Sequence, residues 1–322
     1  MERSYDFWFI GDLERNIDGV AMAYWKDYHT PGTVEEAVEI LGRYNGNARM
    51  IGGGTDLLLE IQQGHRPKVE ALVDPTRIVG LNQITEEDGF FVIGAGVTHT
   101  QIVNDPRIIQ HATCLVESCG VIGGPQVRNV ATLAGNIAHA LPAGDGTIGT
   151  LAMGGELQVG GPEGLKWVPM AETFLGPGKS TVDPKSMIIA RIRFRPTGDQ
   201  EGSAFRRVMR PQGIALPMIG MAARVKLNGD TIEFVRIGIG PASTVPFDAR
   251  QTADFLTGKP ATDETFRAAA EVALTEVKLR DSQHRASQDY RKEMIMVQLP
   301  KTLSKAAERA RTGNAVPEGV GA

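Results

Sequence analysis

Two glycine-rich stretches hold the residues whose types and spacing could do chemistry. The longer, residues 121–153, reads VIGGPQVRNVATLAGNIAHALPAGDGTIGTLAM and is poor material for a core. Gly123, Gly124, Gly135, Gly144 and Gly146 admit positive φ and let backbone amides come close to a ligand, while Thr132 and Asn136 add short hydrogen-bonding side chains. Asp145 opens a segment that carries Ile148, Leu151 and Ala152 at helical spacing. A carboxylate there can cap the helix, and it can bind a sugar or ribose hydroxyl of a molecule held in the preceding loop. The shorter stretch, residues 49–58, reads RMIGGGTDLL and predicts a strand, a turn and a helix. Three consecutive glycines cost backbone entropy, and a nest of N–H groups facing an anion such as a pyrophosphate is the simplest reason to keep them. The run lacks both the GxGxxG spacing of a dinucleotide fingerprint and the lysine of a P-loop, which disfavours Rossmann and Walker readings. Either loop taken singly is also compatible with an ordinary tight connection.

Other chemistries find little support. His99, His111 and His139 form no metal-ligand spacing; His139 lies inside the longer loop, where it can bond a ligand or be incidental. Cys114 and Cys119 are the only cysteines, too few for a four-thiolate iron–sulfur or zinc site. Their i, i+5 spacing on a predicted helix disfavours a mutual disulfide and favours buried thiols. No nucleophile elbow, HExxH or persuasive acid pair supports hydrolysis. The formal net charge of -4 argues against nucleic acid or anionic lipid as the main partner. The first residues, MERSYDFWFIGDLERN, have no apolar core of a secretory signal, and no run of about 18 apolar residues predicts a membrane span. A cytoplasmic, reducing location is expected.

The elements that must position these loops follow from patterning along 322 residues, more than one average domain. Residues 1–23 form an N-terminal extension, an interaction arm or a disordered segment. Residues 24–76 predict a small α/β lobe. In it Thr33-Val-Glu-Glu36 is a capping box for a helix presenting Val34, Ala37, Val38 and Leu41, followed by a strand over 49–51, the glycine turn, a helix ending near Gln63 and a strand over 71–73. Residues 77–200 form a second lobe with a strand over 90–93, a helix over 106–117 and a strand over 187–195. In that last strand Ile188, Ala190, Ile192 and Phe194 alternate with Arg191, Arg193 and Arg195. The Gly- and Pro-rich residues 160–185 read as loops flanking short strands. Residues 201–310 predict strands over 204–209, 221–227 and 232–239, with a hairpin signal at Asn228-Gly229-Asp230, then helices over 247–256, 263–277 and 290–310. Residues 311–322 are expected as a disordered tail.

The runs 51–58 (IGGGTDLL), 126–137 (QVRNVATLAGNI) and 142–145 (PAGD), in this order, make the chain resemble the FAD-binding middle subunit of the molybdenum hydroxylases. That family includes carbon monoxide dehydrogenase and xanthine dehydrogenase, and the resemblance spans residues 24–309. It implies an α+β fold: a two-lobed FAD-binding domain of the vanillyl-alcohol-oxidase/PCMH type plus a C-terminal domain of a three-stranded sheet with helices. It also implies FAD on this chain, with the molybdenum cofactor on a large partner subunit and two-iron two-sulfur clusters on a small one, in a heterotrimer that dimerises. The chain then passes electrons between the partner's clusters and an external acceptor.

Residue by residue, the resemblance implies that Met50, Ile51, Gly52, Gly53, Gly54, Thr55, Asp56 and Leu57 form the first FAD loop, and Thr132, Leu133, Ala134, Gly135 and Asn136 the second. Ile122 would pack against the cofactor, Asp145 bind its adenosine part, and Ile189 supply a backbone or apolar contact. Arg206 would lie near the isoalloxazine or pyrophosphate and Ile214 near the flavin ring. The resemblance assigns this chain no catalytic residue and no metal ligand. The family's usual second loop is Thr-Ile-Gly-Gly-Asn; here Ala134 replaces the first glycine, and its methyl fits only where φ is negative. Two alternatives stay open: a stand-alone FAD-dependent oxidoreductase, and a non-catalytic assembly subunit whose FAD site has decayed, to which Ala134 points.

Overall fold

A computed structural model describes residues 24–210, 215–282 and 285–319. The N-terminal extension 1–23 and Ile214 lie outside the described residues. In the first lobe β1 (Asp27–His29) is followed by α1 (Val34–Arg43), β2 (Ala48–Met50), α2 (Leu57–Gln62) and β3 (Ala71–Val73). The strands form a parallel sheet in the order β1-β3-β2. Helix α1 starts at Thr33, whose Oγ1 accepts the Glu36 N–H at 3.1 Å. The expected capping box closes one residue early: the Glu36 carboxylate accepts from Gly32 N–H at 2.7 Å instead of reaching Thr33. The helix buries Ala37, Ile40 and Leu41, leaving Val34 and Val38 at the margin.

The second lobe is an antiparallel sheet with helices packed on one side. Its strands are β4 (Ile84–Glu87), β5 (Phe90–Gly94), β6 (Glu156–Gly161), β7 (Gly164–Pro169) and, after the small hairpin β8 (Phe174–Gly176) and β9 (Lys179–Ser180), β10 (Ile188–Phe194). Their order is β4-β5-β10-β6-β7. Alternation on β10 is as expected, and the outward Arg193 guanidinium lies 4.5 Å from the Phe90 ring and 4.2 Å from the Trp167 ring while pairing with Glu156. The helices are α3 (His99–Asn104), α4 (Pro106–His111), α5 (Thr113–Gly120), α6 (Pro125–Arg128), α7 (Leu133–Ala138) and α8 (Asp145–Ala152). The single helix expected over 106–117 is two, broken at Ala112 (φ -154°, ψ 47°). The break redirects α5 into the core, where all of its residues are buried. Burial pushes both thiols up, Cys114 to about 12, so Cys114 and Cys119 are free but inert.

The third part holds β11 (Glu201–Met209), β12 (Pro217–Asn228), β13 (Thr231–Gly240) and β14 (Phe247–Asp248), then α9 (Arg250–Leu256), α10 (Asp263–Glu276) and α11 (Gln288–Thr312). The expected three-stranded sheet has a fourth strand, because Phe247 and Asp248, expected to begin a helix, pair instead with Ile239 and Gly238. One face of this sheet, with Ala204, Met221 and Ala223, shares a core with α10 and α11. The opposite face contributes Phe205 and Ala222 to the core of the second lobe. Strand β13 approaches α8 without side chains between them: a Cβ on Gly240 would overlap Pro142 O, and one on Gly238 would lie 2.8 Å from Ile148 O. The sheet therefore sits directly over the start of α8.

Glu117, on α5, locks the second lobe to the third part. Its Oε1 accepts from Arg309 Nη2 (2.6 Å) and Glu318 N–H (2.8 Å), and its Oε2 accepts from Phe205 N–H (2.7 Å). Arg309, also buried, gives further hydrogen bonds to Ser203 O and Val316 O. The tail expected to be disordered thus packs back on the body as far as Gly319, with Glu318 paired to Lys305 and Arg206. The reason is local: Gly313 ends α11 in the left-handed region (φ 67°) and turns the chain toward a buried carboxylate that needs donors. Replacing Glu117 with Gln should leave the Arg309 guanidinium buried without its counter-charge and cost about 3 kcal/mol. Urea unfolding checks this, and a loss under about 1 kcal/mol would show that the pair is not what joins the parts.

Candidate cofactor site

The first loop begins where β2 ends. Met50 is half-buried at the strand's last position, and Ile51 is buried with its N–H on Val73 O at 2.9 Å. Gly54 adopts φ 69°, which bends the chain into α2 and leaves Asp56 exposed at the helix start and Leu57 partly covered. Among the described residues the N–H groups of Gly52, Gly53, Gly54 and Thr55 donate to no protein acceptor. Successive unpaired amides in a turn are a nest that suits a phosphate or other anion.

The second loop comes against the first at backbone distance. A Cβ on Gly53 would overlap Val130 O and lie 2.7 Å from Ala131 Cα; one on Gly52 would lie 2.9 Å from Thr132 Oγ1. Two of the three glycines are thus required by the neighbouring loop as well as by any ligand. Thr132 caps α7 by accepting the Gly135 N–H at 3.0 Å, and bridges to Thr98. Leu133 is fully buried and Gly135 exposed. Ala134 sits in the first turn of α7 with helical backbone, and its methyl joins the core. The departure from the family's glycine is therefore accommodated without strain. Asn136 Oδ1 accepts from Thr147 N (3.0 Å) and Thr147 Oγ1 (2.9 Å), tying α7 to the first turn of α8. Ile122 and Leu133 approach Gly146 from above, at 3.4 and 3.0 Å from where its Cβ would be. Ile189 is a buried core residue of β10, paired with Val159 beside a bulge.

Asp145 is placed differently from the helix cap expected of it. Gly144 occupies the N-cap position and no side chain caps α8. The Asp145 carboxylate is instead buried and accepts from Arg207 Nη1 at 2.6 Å. Burial pushes its pKa up to about 6, outweighing the opposing pull of Arg207 and Arg285. Arg207 Nε, in turn, is a buried donor with no acceptor among the described residues, an open hydrogen-bonding position beside the acid. The arginine beside Asp145 is Arg207, not the Arg206 expected near the cofactor. Consecutive residues of a strand face opposite sides: Phe205 and Arg207 face α5 and α8, whereas Arg206 faces the α11 layer and pairs with Glu318 at 2.9 Å. The structure thus brings the two loops, Ile122 and Asp145 together and leaves Arg206 on the other face.

His139 also has a partner that sequence reasoning did not supply. Its Nε2 is 2.9 Å from Glu60 Oε1, and its Nδ1 is 3.7 Å from Asp56 Oδ2, so the helix after the second loop meets the helix after the first. Among the described residues no group of three or more His, Cys, Asp or Glu could hold a metal ion. No described helix is long and apolar enough to cross a membrane.

Comparison with known proteins agrees with this geometry. The family described as FAD binding domain in molybdopterin dehydrogenase matches residues 21–195, and the CO dehydrogenase flavoprotein C-terminal domain matches residues 203–306. The chain is 30% identical over 285 residues to a xanthine dehydrogenase FAD-binding subunit of Escherichia coli O157:H7, covering 88% of this chain and 96% of that one. It is 29% identical over 248 residues to the carbon monoxide dehydrogenase medium chain of Hydrogenophaga pseudoflava, covering 77% and 85%. A solved structure of carbon monoxide dehydrogenase from that organism superposes with a TM-score of 0.83 at 28% identity, over 88% of this chain and 98% of that one.

The raised Asp145 pKa has a measurable consequence. The native state holds a proton on Asp145 at pH values where the unfolded chain has released it, so stability should fall as pH rises from the ordinary aspartate range through about 6. Asp145→Asn should remove that segment of the profile. Unfolding free energies of the flavin-free chain at pH 4.5 and 6.5 should show the wild-type advantage over the variant shrinking by up to about 2 kcal/mol. A difference that does not change with pH would refute the assignment.

Proposed function

The chain belongs to the FAD-binding subunit family of the molybdenum hydroxylases, whose members are oxidoreductase subunits, and from that premise we propose that it holds FAD and passes electrons between a partner's two-iron two-sulfur clusters and an external acceptor. The observation that carries this reading is the nest of four unpaired amides at Gly52–Thr55, set against Val130–Thr132. A pyrophosphate matches it in charge and in the number of acceptors. The N-terminal turn of α7, with its Thr132 cap, would complete the cradle. Asp145 and the free Nε of Arg207 are suited to a sugar hydroxyl, the one accepting and the other donating. Ile122, Leu57 and the Ile189 backbone would line the apolar flank.

FAD, when bound, supplies the redox chemistry; the protein positions it, keeps water from its buried parts and sets the dipoles around it. No side chain here is proposed as an acid, base or nucleophile. The substrate would be handled on a large molybdenum-cofactor subunit and the clusters carried on a small one, in a cytoplasmic heterotrimer that dimerises. That relatives are named medium chain and FAD-binding subunit supports such a division of labour. With Ala134 accommodated in α7, its departure from the family pattern lends nothing to a decayed site.

The separately expressed chain, reconstituted with FAD, should show flavin absorption bands at one flavin per chain and contain no iron, acid-labile sulfide or molybdenum. Gly53→Ala should lose the flavin, because the added methyl must displace Val130 and with it the second loop. Stoichiometric iron in the isolated chain, or full flavin occupancy in the variant, would overturn the reading. Co-purification with molybdenum and iron–sulfur subunits from the native host tests the partner assignment; a flavoprotein that purifies alone and turns over a substrate would favour the stand-alone alternative.

A further inference from the structure

We propose that His139 is a positioning residue that clasps the two cofactor loops, bonding Glu60 and facing Asp56, so that flavin retention depends on this junction. The inference rests on the reading of these loops as a flavin site. His139 is the C-cap residue of α7, directly after the second loop; Asp56 and Glu60 start and continue α2, directly after the first. The side chains meet across 79 residues of sequence, with Nε2 at 2.9 Å from Glu60 and Nδ1 at 3.7 Å from Asp56. Besides Gly52 and Gly53 against residues 130–132, this is a second junction between the loops, and it is made by side chains alone.

The groups around the imidazole favour the contact. Asp56 and Glu60 face it from α2, and Arg66, from the loop that follows, pairs with Glu60 at 2.7 Å. Burial acts to raise the Glu60 pKa, and the hydrogen bonds from His139 and Arg66 outweigh it, holding the carboxyl below its ordinary range. Glu60 thus accepts on both sides, from the ring of His139 in the second loop's helix and from Arg66 after its own helix. The bond to Glu60 is the one that joins the helices; Asp56, at 3.7 Å, adds its charge and no hydrogen bond.

The test compares FAD affinity of the full chain in wild type, His139→Ala, His139→Gln, Glu60→Ala and the double variants. His139→Ala removes the junction and should weaken FAD binding about fivefold, since the pair is partly exposed. Glutamine at 139 can still donate one hydrogen bond to Glu60, so His139→Gln should recover most of that loss when Glu60 is present and none of it in Glu60→Ala. Equal affinities of wild type and His139→Ala, or a loss that is the same with and without Glu60, would overturn the clasp. Absence of flavin binding by the wild type would instead overturn the flavin reading. In that case the clasp is still decided by urea unfolding of the same chains: His139→Ala should destabilise the wild type more than it destabilises Glu60→Ala, and equal effects would refute it.

Discussion

The approach of a bare backbone at Gly52 and Gly53 to Val130–Thr132 is the contact on which the rest of the arrangement depends. Two loops from different lobes can align their amides toward one ligand only if nothing thicker than main chain stands between them. From that contact a sequence of short-range constraints follows. Thr132 lies against Gly52 and caps α7; α7 carries Asn136; Asn136 fixes Thr147 in the first turn of α8; and α8 begins with Asp145. Each link is a hydrogen bond or a van der Waals contact of one residue. The glycines are thus linked to the acid, some ninety residues further along the chain, through consecutive short-range contacts.

Two buried carboxylates show how the same fold makes one acid structural and leaves the other available. Glu117 accepts three hydrogen bonds, from Arg309 and from the amides of Phe205 and Glu318, and has little capacity for anything else. Asp145 accepts one, from Arg207, at the mouth of a glycine loop. Burial without full compensation is why its pKa is raised, and it is also what a group meant to receive a ligand's hydroxyl would look like before the ligand arrives. Sheet contacts set the difference: the Glu117 donors come from backbone and tail that close over it, whereas α8 presents Asp145 to a single strand.

Much of this was legible in the sequence, and the residues show why the remainder was not. Glycine runs, the Thr33 cap of α1 and the alternation of β10 are local signals, and local physics placed them correctly. The break at Ala112 is marked by no Gly or Pro; beyond it α5 enters the core, where the Cys114 N–H donates to Ser203 Oγ on β11, a contact 89 residues away that no local pattern reports. The same holds for Asp145, which has the residue type of a cap but lies one position inside the helix, where tertiary contact with Arg207 decides its role. Nothing local distinguishes Arg206 from Arg207. The sheet of β11 to β14 is covered on both faces, so hydrophobic alternation, which normally orients a strand, is weak there, and only the packed layers show which arginine turns inward. The tail reads as disordered on composition because the groups that reach buried Arg309 and Glu117, Val316 O and the Glu318 amide, are backbone.

That adjacent pair of arginines also ties the C-terminal domain to the two-lobed part. A strand between two layers sends successive side chains to opposite sides, and β11 uses this to make one ionic link in each direction: Arg207 to the acid at the cofactor loops, Arg206 to Glu318 in the returning tail. Phe205, the preceding residue, gives its side chain to the second-lobe core and its amide to Glu117. Three consecutive residues thus hold the site, the core and the tail. Without this strand Asp145 would have no ion pair among the described residues, and the buried faces of α5 and α8 would meet water. The two-lobed part therefore depends on the third part for the charge balance around Asp145.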